Sequence, residues 1–143
     1  MRIKDIMTNK VIKAHADMPA HQLLDIIEKH GFHHIPIVDD EDHLLGIVSD
    51  RDVSKHVSPL LGTDNEREAD RETLNITASA IMSSEPITIS ENSRIKTASI
   101  LLLEHKFSCL PVMDDENAQM VGIITLKDIL NYYVYAQPDQ VLP

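Results

Sequence analysis

The chain has 143 residues, a length that suits one compact domain or a pair of small lobes. Its 13 Lys and Arg against 23 Asp and Glu give a net charge of −10, which disfavours nucleic acid or an anionic membrane as the main partner. The hydrophobic fraction of 43% is ordinary for a globular protein, but only 3% of residues are aromatic, so the core must consist of Ile, Leu, Val and Met.

The sequence also indicates a compartment. No apolar run approaches the roughly 18 residues that a membrane helix needs, and the first residues lack the apolar stretch of a signal peptide. Cys109 is the single cysteine, so a disulfide framework or a cysteine-rich metal site is excluded. We therefore expect a soluble, cytoplasmic protein.

The sequence repeats itself at a spacing of 75 residues, which becomes 76 after one extra residue in the second copy. Pro, Gly and Asp stay in register together, which chance similarity between two α/β segments does not explain. The repeat therefore indicates two copies of one supersecondary unit, each too small to be stable alone. The matched segments are Ile6–Thr8 with Ile81–Ser83, Ile35–Glu41 with Leu110–Glu116, and Gly46–Asp52 with Gly122–Asp128.

Each copy is predicted to form a strand, a helix, two strands and a second helix. The opening strands are the β-prone runs Val11–Lys13 and Ile87–Ile89, and Asp17 or Asn92 is the predicted N-cap of the helix, with Pro19 tolerated in its first turn. Apolar residues spaced i, i+3, i+7 form the buried stripe of that helix, and acidic turns join the next two strands. In the first copy the predicted stripe is Ala20, Leu23 and Ile27, the paired strands are Ile35–Val38 and Leu44–Val48, and the second helix is Asp50–Val57. In the second copy the predicted stripe is Ile95, Ala98 and Leu102, the paired strands are Leu110–Met113 and Met120–Ile124, and the second helix is Leu126–Tyr135.

These elements divide the chain into four parts. We predict a first domain at residues 1–58, a linker at 59–75, a second domain at 76–136 and a frayed tail at 137–143. Pro and Gly mark a turn in the linker, and its charged stretch Asp64–Thr73 either forms a short exposed helix or stays mobile.

The most informative motif is a Gly, two β-branched apolar residues, a hydroxyl residue, two variable residues and an Asp, present in both copies. The Gly allows another group to approach the strand closely. Ser49 and Thr125 are predicted N-caps, and Asp52 and Asp128 then lie at the third helical position, which completes a capping box. A capping box needs no ligand, so the motif is also compatible with a purely structural role.

Three properties of this motif favour a nucleotide ligand. Free N–H groups at a helix start bind anions such as phosphate, and a nearby carboxylate can accept hydrogen bonds from both hydroxyls of a ribose. Arg51 and Lys127 lie in the first helical turn, where a cation opposes the helix dipole unless an anion binds there. The two cations are equally compatible with ordinary solvated side chains, so these residues alone leave both interpretations open.

The ordered set of motifs resembles the CBS domain, and its occurrence in tandem resembles a Bateman module. The segments that carry the resemblance are Ile6–Thr8, His34–Asp39 and Gly46–Asp52, with Ile81–Ser83, Leu110–Asp114 and Gly122–Asp128. The linker residues Ser58–Thr63, with Asp70 and Thr73–Asn75, are similar to small acetoin-utilization-like CBS pairs. The resemblance implies an α/β (α+β) fold in which two β-α-β-β-α repeats pack as a pseudo-twofold module with two clefts.

The resemblance also implies ligands and binding residues. The clefts of such modules take adenosine-containing ligands such as AMP, ADP, ATP or S-adenosylmethionine, with Asp52 and Asp128 holding the ribose hydroxyls. The other implied roles are contacts of Ser49 and Thr125 with phosphate or ribose, neutralisation of phosphate by Arg51 and Lys127, backbone contacts near the base from Ile35 and Leu110, and lining of the same pockets by Thr8 with Ile12 and Ser83 with Ile87.

The two clefts are expected to differ at the phosphate end. Asp50 offsets part of the charge of Arg51 in the first copy, whereas Leu126 leaves Lys127 unopposed in the second. We therefore expect the second cleft to favour polyphosphates, and Asp128 to matter more than Asp52. The sequence contains no Trp, so both pockets are expected to contact the base through aliphatic side chains.

The histidines do not predict a metal site. The tightest group and its counterparts are His30, His33 and His34, aligned with His105, Ser108 and Cys109. The repeat therefore preserves no ligand set, and a structural zinc needs about four ligands in a closed geometry. His30 and His105 are predicted to cap their helices, His34 is a candidate ligand contact in the first cleft, and Cys109 is predicted to be a small core residue.

The remaining clusters have structural interpretations. Asp39–Asp42 and Asp114–Glu116 lack the alternating ligand spacing of a calcium loop and are predicted to be solvated turns. Tyr132, Tyr133 and Tyr135 either pack against a partner or contact the core.

Together these features predict a regulatory module that binds an adenine nucleotide, requires no cofactor and is not an enzyme, because no set of nucleophile, base and orienting group is visible. A ligand that bridges the copies changes their relative angle, and a partner protein reads the change. We expect a homodimer that forms through exposed apolar helix residues, namely Val53, Val57, Ile129, Tyr132 and Tyr133. The alternative function is a dimerisation scaffold that binds no ligand.

Overall fold

The computed structural model describes residues 1–136, which form two compact units. The central unit is Ile12–Pro86, and the terminal unit combines Met1–Val11 with the chain from Ile87 onward. The tail at 137–143, predicted to be frayed, lies outside the described residues. No helix among residues 1–136 has both the length and the apolar character needed to cross a membrane.

The described residues form seven α-helices and six strands, and in each repeat a long helix, two paired strands and a second helix follow one another as predicted. The helices are α1 (Ile3–Ile6), α2 (Ala20–His30), α3 (Asp50–His56), α4 (Glu68–Glu72), α5 (Ala78–Ile81), α6 (Ile95–His105) and α7 (Leu126–Asn131), with a 3₁₀ turn at Thr73–Asn75 and a π-helical turn at Tyr132–Ala136. The strands are β1 (His34–Val38), β2 (Leu44–Ser49), β3 (Ser83–Ser84), β4 (Ile89–Ser90), β5 (Cys109–Met113) and β6 (Met120–Thr125).

Each unit contains one three-stranded sheet. The central sheet has the antiparallel order β1-β2-β3, and Ala14 adds a parallel bridge to Ile37 of β1. The terminal sheet has the order β4-β5-β6, with β4 parallel to β5, and Thr8 adds an antiparallel bridge to Ile123 of β6. The paired strands of each repeat are confirmed, but the predicted strand at Val11–Lys13 is absent and only the bridge at Ala14 marks its place.

Each sheet is completed by a segment from the other sequence repeat. Thr8 exchanges two hydrogen bonds with Ile123, from Thr8 N–H to Ile123 O (2.9 Å) and from Ile123 N–H to Thr8 O (3.0 Å). Ser83 pairs with Ile47 of β2 in the central sheet. Each compact unit therefore contains parts of both sequence repeats. The predicted domain limits are limits of the repeats in the sequence and not of the compact units.

Both cores are aliphatic, as the low aromatic content predicts. The stripe of α6 is buried at Ile95, Ala98 and Leu102, and that of α2 at Ala20 and Leu23, with Ile27 half-buried. These stripes pack on sheet residues such as Ile37 and Val48 in one unit, and Val112 and Ile124 in the other.

The predicted N-caps of the two long helices are wrong. The observed caps are Pro19 and Arg94, in place of Asp17 and Asn92, and neither gives a side-chain hydrogen bond. In α2 the N–H of Ala20 donates to the carbonyl oxygen of Ile76 at 2.8 Å, so a neighbouring segment takes the role of a side-chain cap. The Asn92 amide donates instead to the Asp115 carboxylate at 2.8 Å.

The second helix of the second repeat is shorter than predicted, because it ends at Asn131 and continues as a π-helical turn. In the linker, the charged stretch forms the short exposed helix α4, which was one of the two predicted outcomes. Ser58 Oγ donates to the Asp70 carboxylate at 2.7 Å, which lowers the pKa of Asp70 and ties the start of the linker to α4.

The acidic segments between paired strands are turns, as predicted. Asp39 Oδ1 accepts hydrogen bonds from the backbone N–H groups of Glu41 and His43, both at 2.9 Å, and the bond from His43 is the main cause of a lowered pKa of Asp39. Asp114 Oδ1 accepts in the same way from the N–H groups of Asn117 and Gln119. Backbone donors therefore hold Asp39 and Asp114 in the turns, and Asp42 of the first turn pairs with the Lys13 ammonium at 3.3 Å.

Candidate functional site

Both copies of the Gly-to-Asp motif form the predicted capping box. In the central unit Ser49 N–H donates to Asp52 Oδ2 at 2.8 Å, and Asp52 N–H donates to Ser49 Oγ at 3.1 Å. In the terminal unit the bonds between Thr125 and Asp128 are 3.0 and 3.1 Å. The two aspartates are therefore fixed at the first turns of α3 and α7.

The two glycines of the motif lie where a neighbouring segment touches the strand. A Cβ atom on Gly46 would lie 2.7 Å from the carbonyl oxygen of Ser83, and one on Gly122 would lie 2.8 Å from that of Thr8. These distances are too short for any side chain, so the predicted close approach is confirmed. The approaching segments carry Ser83 and Thr8, two of the residues that were predicted to bind ligand.

In the terminal unit this approach brings Thr8 to the capping box. The Thr8 hydroxyl donates to both carboxylate oxygens of Asp128 at 3.2 Å. Lys127 is exposed on the same helical turn, while Leu110 is buried and pairs with Ile124. Thr8, Thr125 and Asp128 thus form one cluster, although Thr8 is 120 residues away from Asp128 in the sequence.

In the central unit the corresponding carboxylate, Asp52, accepts fewer hydrogen bonds from the described residues than Asp128 does. Asp52 Oδ1 accepts no hydrogen bond from the described residues, and Ser83 forms no bond to Asp52 that matches the one from Thr8 to Asp128. His34 pairs in register with Ser49, and Ile35 is buried opposite Val48. The predicted residues Ser49, Asp52 and His34 therefore lie at one end of the central sheet.

Asp50 forms no ion pair with the Arg51 side chain within the described residues. Its Oδ2 lies 3.0 Å from His33 Nδ1, and its Oδ1 accepts the Arg51 backbone N–H at 2.8 Å. The hydrogen bond with His33 is the main cause of a lowered pKa of Asp50. The extra carboxylate at the start of α3 is still present, whereas α7 begins with the exposed Leu126.

The pairs Thr8 with Ile12 and Ser83 with Ile87 fall in different units. Ile12 belongs to the central unit, and Ile87 belongs to the terminal unit, where it packs against the core. The pockets that each pair was predicted to line stay a prediction.

A cavity of about 330 Å³ opens beside Asp128. Its lining residues are Ile6, Asp128, Asn131, Tyr132 and Tyr135. Aromatic surface is therefore available next to this carboxylate, a feature that was not predicted from the sequence, and which side chains contact a base stays a prediction. The spacing of the two tyrosines from Asp128, i+4 and i+7, was the signal in the sequence that places them on its helical face.

Other clusters have structural roles. Cys109 is buried, which confirms the predicted core residue, and this burial raises the pKa of its thiol to about 11. His30 and His105 end α2 and α6 and stack on Phe32 and Phe107, with ring centroids 5.6 and 5.4 Å apart. Among residues 1–136, no group of three or more His, Cys, Asp or Glu side chains is arranged to hold a metal ion.

His34 gives the central unit a testable pH dependence. Burial is the main cause of its lowered pKa, so the unfolded chain takes up this proton at a higher pH than the folded chain does. The contribution of His34 to the free energy of unfolding is then fully present above pH 6.5, the ordinary pKa of histidine, and is lost as the pH falls below that value. We expect His34→Gln to flatten this decline in urea unfolding measured at several pH values, and the exposed His21→Gln to leave it unchanged. An equal slope in wild type and His34→Gln would contradict the assignment.

Two residues of the predicted dimer surface are buried in their own units. Val53 is 0% and Ile129 is 7% exposed, because both face the core from the second helix of their repeat. Tyr133 is exposed as predicted, and further exposed apolar side chains occur on α6, on α7 and on the π-helical turn that follows α7 in the terminal unit. This apolar helix face consists of Ile100, Leu103, Leu126, Leu130 and Val134.

The chain matches known proteins over most of its length. A protein-family model described as CBS domain matches residues 3–59 and 78–135. The L-aspartate semialdehyde sulfurtransferase of Methanocaldococcus jannaschii is 30% identical over 127 residues, which are 89% of this chain. The match spans only 22% of the length of that relative.

Solved structures of tandem modules have the same fold. The CBS domain pair of protein MJ0100, in complex with 5′-methylthioadenosine and S-adenosylmethionine, is 28% identical with a TM-score of 0.73, and the match covers 93% of this chain and 95% of that one. A proposed acetoin utilization protein (AcuB) from Vibrio cholerae is 23% identical with a TM-score of 0.80 over 100% of this chain and 98% of that one. The mixed α/β fold of two repeats is thereby confirmed.

Proposed function

Since the chain belongs to the CBS domain family, we propose that it is a regulatory module that binds an adenine nucleotide and responds by a change of conformation. The observation that carries this proposal is the pair of capping boxes in which an aspartate, fixed at one oxygen by a backbone N–H, keeps its other oxygen for a hydroxyl donor. A ribose supplies two adjacent hydroxyl donors of this kind.

The two carboxylates are prepared for a hydroxyl in different ways. Asp52 Oδ1 accepts no hydrogen bond from the described residues. Among residues 1–136, Asp128 Oδ1 accepts only from the Thr8 hydroxyl, which can rotate away or donate alongside a ribose hydroxyl. The Thr8 hydroxyl therefore occupies the place of the donor that we assign to the ligand.

The residues around the carboxylates suit the rest of a nucleotide. Arg51 and Lys127 are exposed on the same helical turns as the aspartates, where they would neutralise phosphate, and Ser49 and Thr125 would contact phosphate or ribose. The complex of the 28% identical MJ0100 module with two adenosine derivatives supports this class of ligand. We assign no catalysis to the chain, because it matches only 22% of the sulfurtransferase and its one thiol is buried.

A thermal-shift panel of AMP, ADP, ATP, GTP and S-adenosylmethionine tests the proposal. A ligand present at about 100 times its dissociation constant stabilises the folded state by roughly 2.7 kcal/mol, which raises the melting temperature of a chain of this size by several degrees. We expect a rise with at least one adenosine compound and a smaller one with GTP. No rise with any adenosine compound would favour the scaffold function, in which the motif is a capping box only.

We also propose that the protein is a homodimer joined through the apolar helix face of the terminal unit. Leu126 N–H donates to Ser108 O at 3.0 Å, so α7 begins beside the segment that follows the end of α6. The repeat equivalents of Ile100, Leu103 and Leu126 are Asp25, Glu28 and Asp50. An uncharged face can pack on its own copy in a chain with a net charge of −10, whereas the acidic equivalent would repel itself.

Leu103→Glu tests the dimer, because it gives the second repeat the residue that the first has at Glu28. Leu103 is 76% exposed, so we expect a folded monomer in sedimentation equilibrium where the wild type is a dimer. Leu60→Glu, at a site 39% exposed in the linker, is the matched control and should remain dimeric. A monomeric wild type at tens of micromolar, or a dimeric Leu103→Glu variant, would contradict this interface.

A further inference from the structure

A second cavity of the terminal unit has a volume of about 380 Å³ and does not include the capping-box residues. It lies between the start of α1, the start of α6 and the end of α7. Its lining residues are Met1, Arg2, Arg94, Ile95, Lys96, Tyr132 and Tyr133. The cavity therefore contains three cationic side chains and two phenol groups.

The three cations have no acidic partner in the part of the chain that the structure describes. None of Arg2, Arg94 and Lys96 forms an ion pair within residues 1–136. Asp5 is close, but its carboxylate accepts the backbone N–H of Arg2 at 2.7 Å rather than pairing with a cationic side chain. A local excess of positive charge in a chain with a net charge of −10 is a specific feature of this cavity.

The fold does not require these cations, because the other repeat lacks them. The residues aligned with Arg2, Arg94, Lys96, Tyr132 and Tyr133 are Thr77, Pro19, His21, His56 and Val57. The backbone bridge between Arg2 and Arg94 is matched by one between Thr77 and Pro19, so the same local structure forms without any charge. The cationic side chains are therefore available for binding.

We propose that this cavity binds a compact polyanion that carries adjacent phosphate groups, through three cations that do not line the cavity beside Asp128, although the two cavities share Tyr132. Arg guanidinium groups donate paired hydrogen bonds to phosphate oxygens, and Lys supplies a point charge. The hydroxyls of Tyr132 and Tyr133 provide two further donors. A volume of about 380 Å³ is in the range of small-molecule sites, and it accommodates a di- or triphosphate group.

The tyrosines provide a readout of ligand binding to either cavity, because Tyr132 and Tyr133 line this one and Tyr132 and Tyr135 line the one beside Asp128, and the variants described next distinguish the two. The chain has three Tyr and no Trp, so its intrinsic fluorescence comes from Tyr132, Tyr133 and Tyr135. Titration of the full chain with inorganic triphosphate, at constant ionic strength, is expected to change this fluorescence in a saturable way. Inorganic sulfate at the same ionic strength is the control for general screening, and calorimetry on the same samples gives the affinity.

Variants separate this cavity from the rest of the surface. We expect Arg94→Gln and Lys96→Gln each to weaken triphosphate binding about tenfold, in line with the loss of one charge-assisted contact, and Arg94→Lys to recover part of the loss. Lys29→Gln, an exposed cation on α2, should have no effect. Circular dichroism melting of each variant checks that the fold is unchanged.

Three results would overturn the proposal. The first is the absence of saturable triphosphate binding by the wild type. The second is an equal loss in Lys29→Gln and Arg94→Gln, which would indicate general electrostatics. The third is loss of triphosphate binding in Asp128→Asn but not in Arg94→Gln, which would place the anion at the capping box. Retained adenine-nucleotide binding in Arg94→Gln would leave the proposed function intact in every case.

Discussion

Replacing Asp128 by Asn is expected to weaken the binding of ATP by about 10- to 100-fold, and more strongly than Asp52→Asn does. A hydrogen bond to a charged acceptor contributes roughly 1.5–3 kcal/mol, and each 1.4 kcal/mol is a factor of ten in affinity. The second site is expected to dominate with a polyphosphate, because α7 begins with Leu126 whereas α3 begins with the carboxylate of Asp50. Isothermal titration calorimetry of both variants measures the difference.

The choice of Asn keeps this comparison interpretable. Asn retains the shape of Asp and a side-chain oxygen that can accept the backbone N–H, so the capping box is largely preserved. Equal melting temperatures of the two unliganded variants would verify this point. Loss of ATP binding in Asp52→Asn alone would show that the charge of Asp50 does not decide between the sites.

Gly122→Ala is expected to destabilise the protein by about 1–3 kcal/mol, the usual cost of inserting a methyl group into a filled space. The new Cβ would lie 2.8 Å from the carbonyl oxygen of Thr8, and this backbone atom cannot move without breaking the bridge between Thr8 and Ile123. We expect a lower midpoint in urea unfolding. Nucleotide affinity should fall as well, because Thr8 moves relative to Asp128.

A second substitution shows which neighbouring atom clashes with the new methyl group of Gly122→Ala. The Met7 thioether would also lie close to the new methyl group, at 2.7 Å, but it belongs to a flexible side chain. Adding Met7→Ala to Gly122→Ala should therefore restore little of the lost stability. Full recovery in the double variant would show that the thioether rather than the backbone of Thr8 limits the space.

The local parts of the fold could be predicted because short-range patterns determine them. The stripe of α6, the paired strands and both capping boxes follow from patterns within one helix or one hairpin, and each is confirmed. The N-caps of α2 and α6 could not be predicted in this way. In α2 the donor at the helix start is satisfied by the backbone of Ile76, more than fifty residues away in the sequence, so no local signal indicates it.

The candidate site was predictable in composition but not in arrangement. The motif identifies Asp128 and Thr125, yet the contact with Thr8 depends on a segment of one repeat completing the sheet of the other. Burial of Val53 and Ile129 was missed for a related reason. The helical pattern shows that an apolar face exists, and only packing decides whether it meets the core of its own unit.

The most direct test of the central claim, that these aspartates hold ribose hydroxyls, is a calorimetric cycle with ATP and 2′,3′-dideoxy-ATP on wild type and Asp128→Asn. If the carboxylate accepts the ribose hydroxyls, removing them should weaken binding to the wild type by about tenfold or more. The same removal should then have little effect on Asp128→Asn, because the two changes delete the same contact. Equal and additive losses from the two changes, or equal affinity of the wild type for both ligands, would contradict the account.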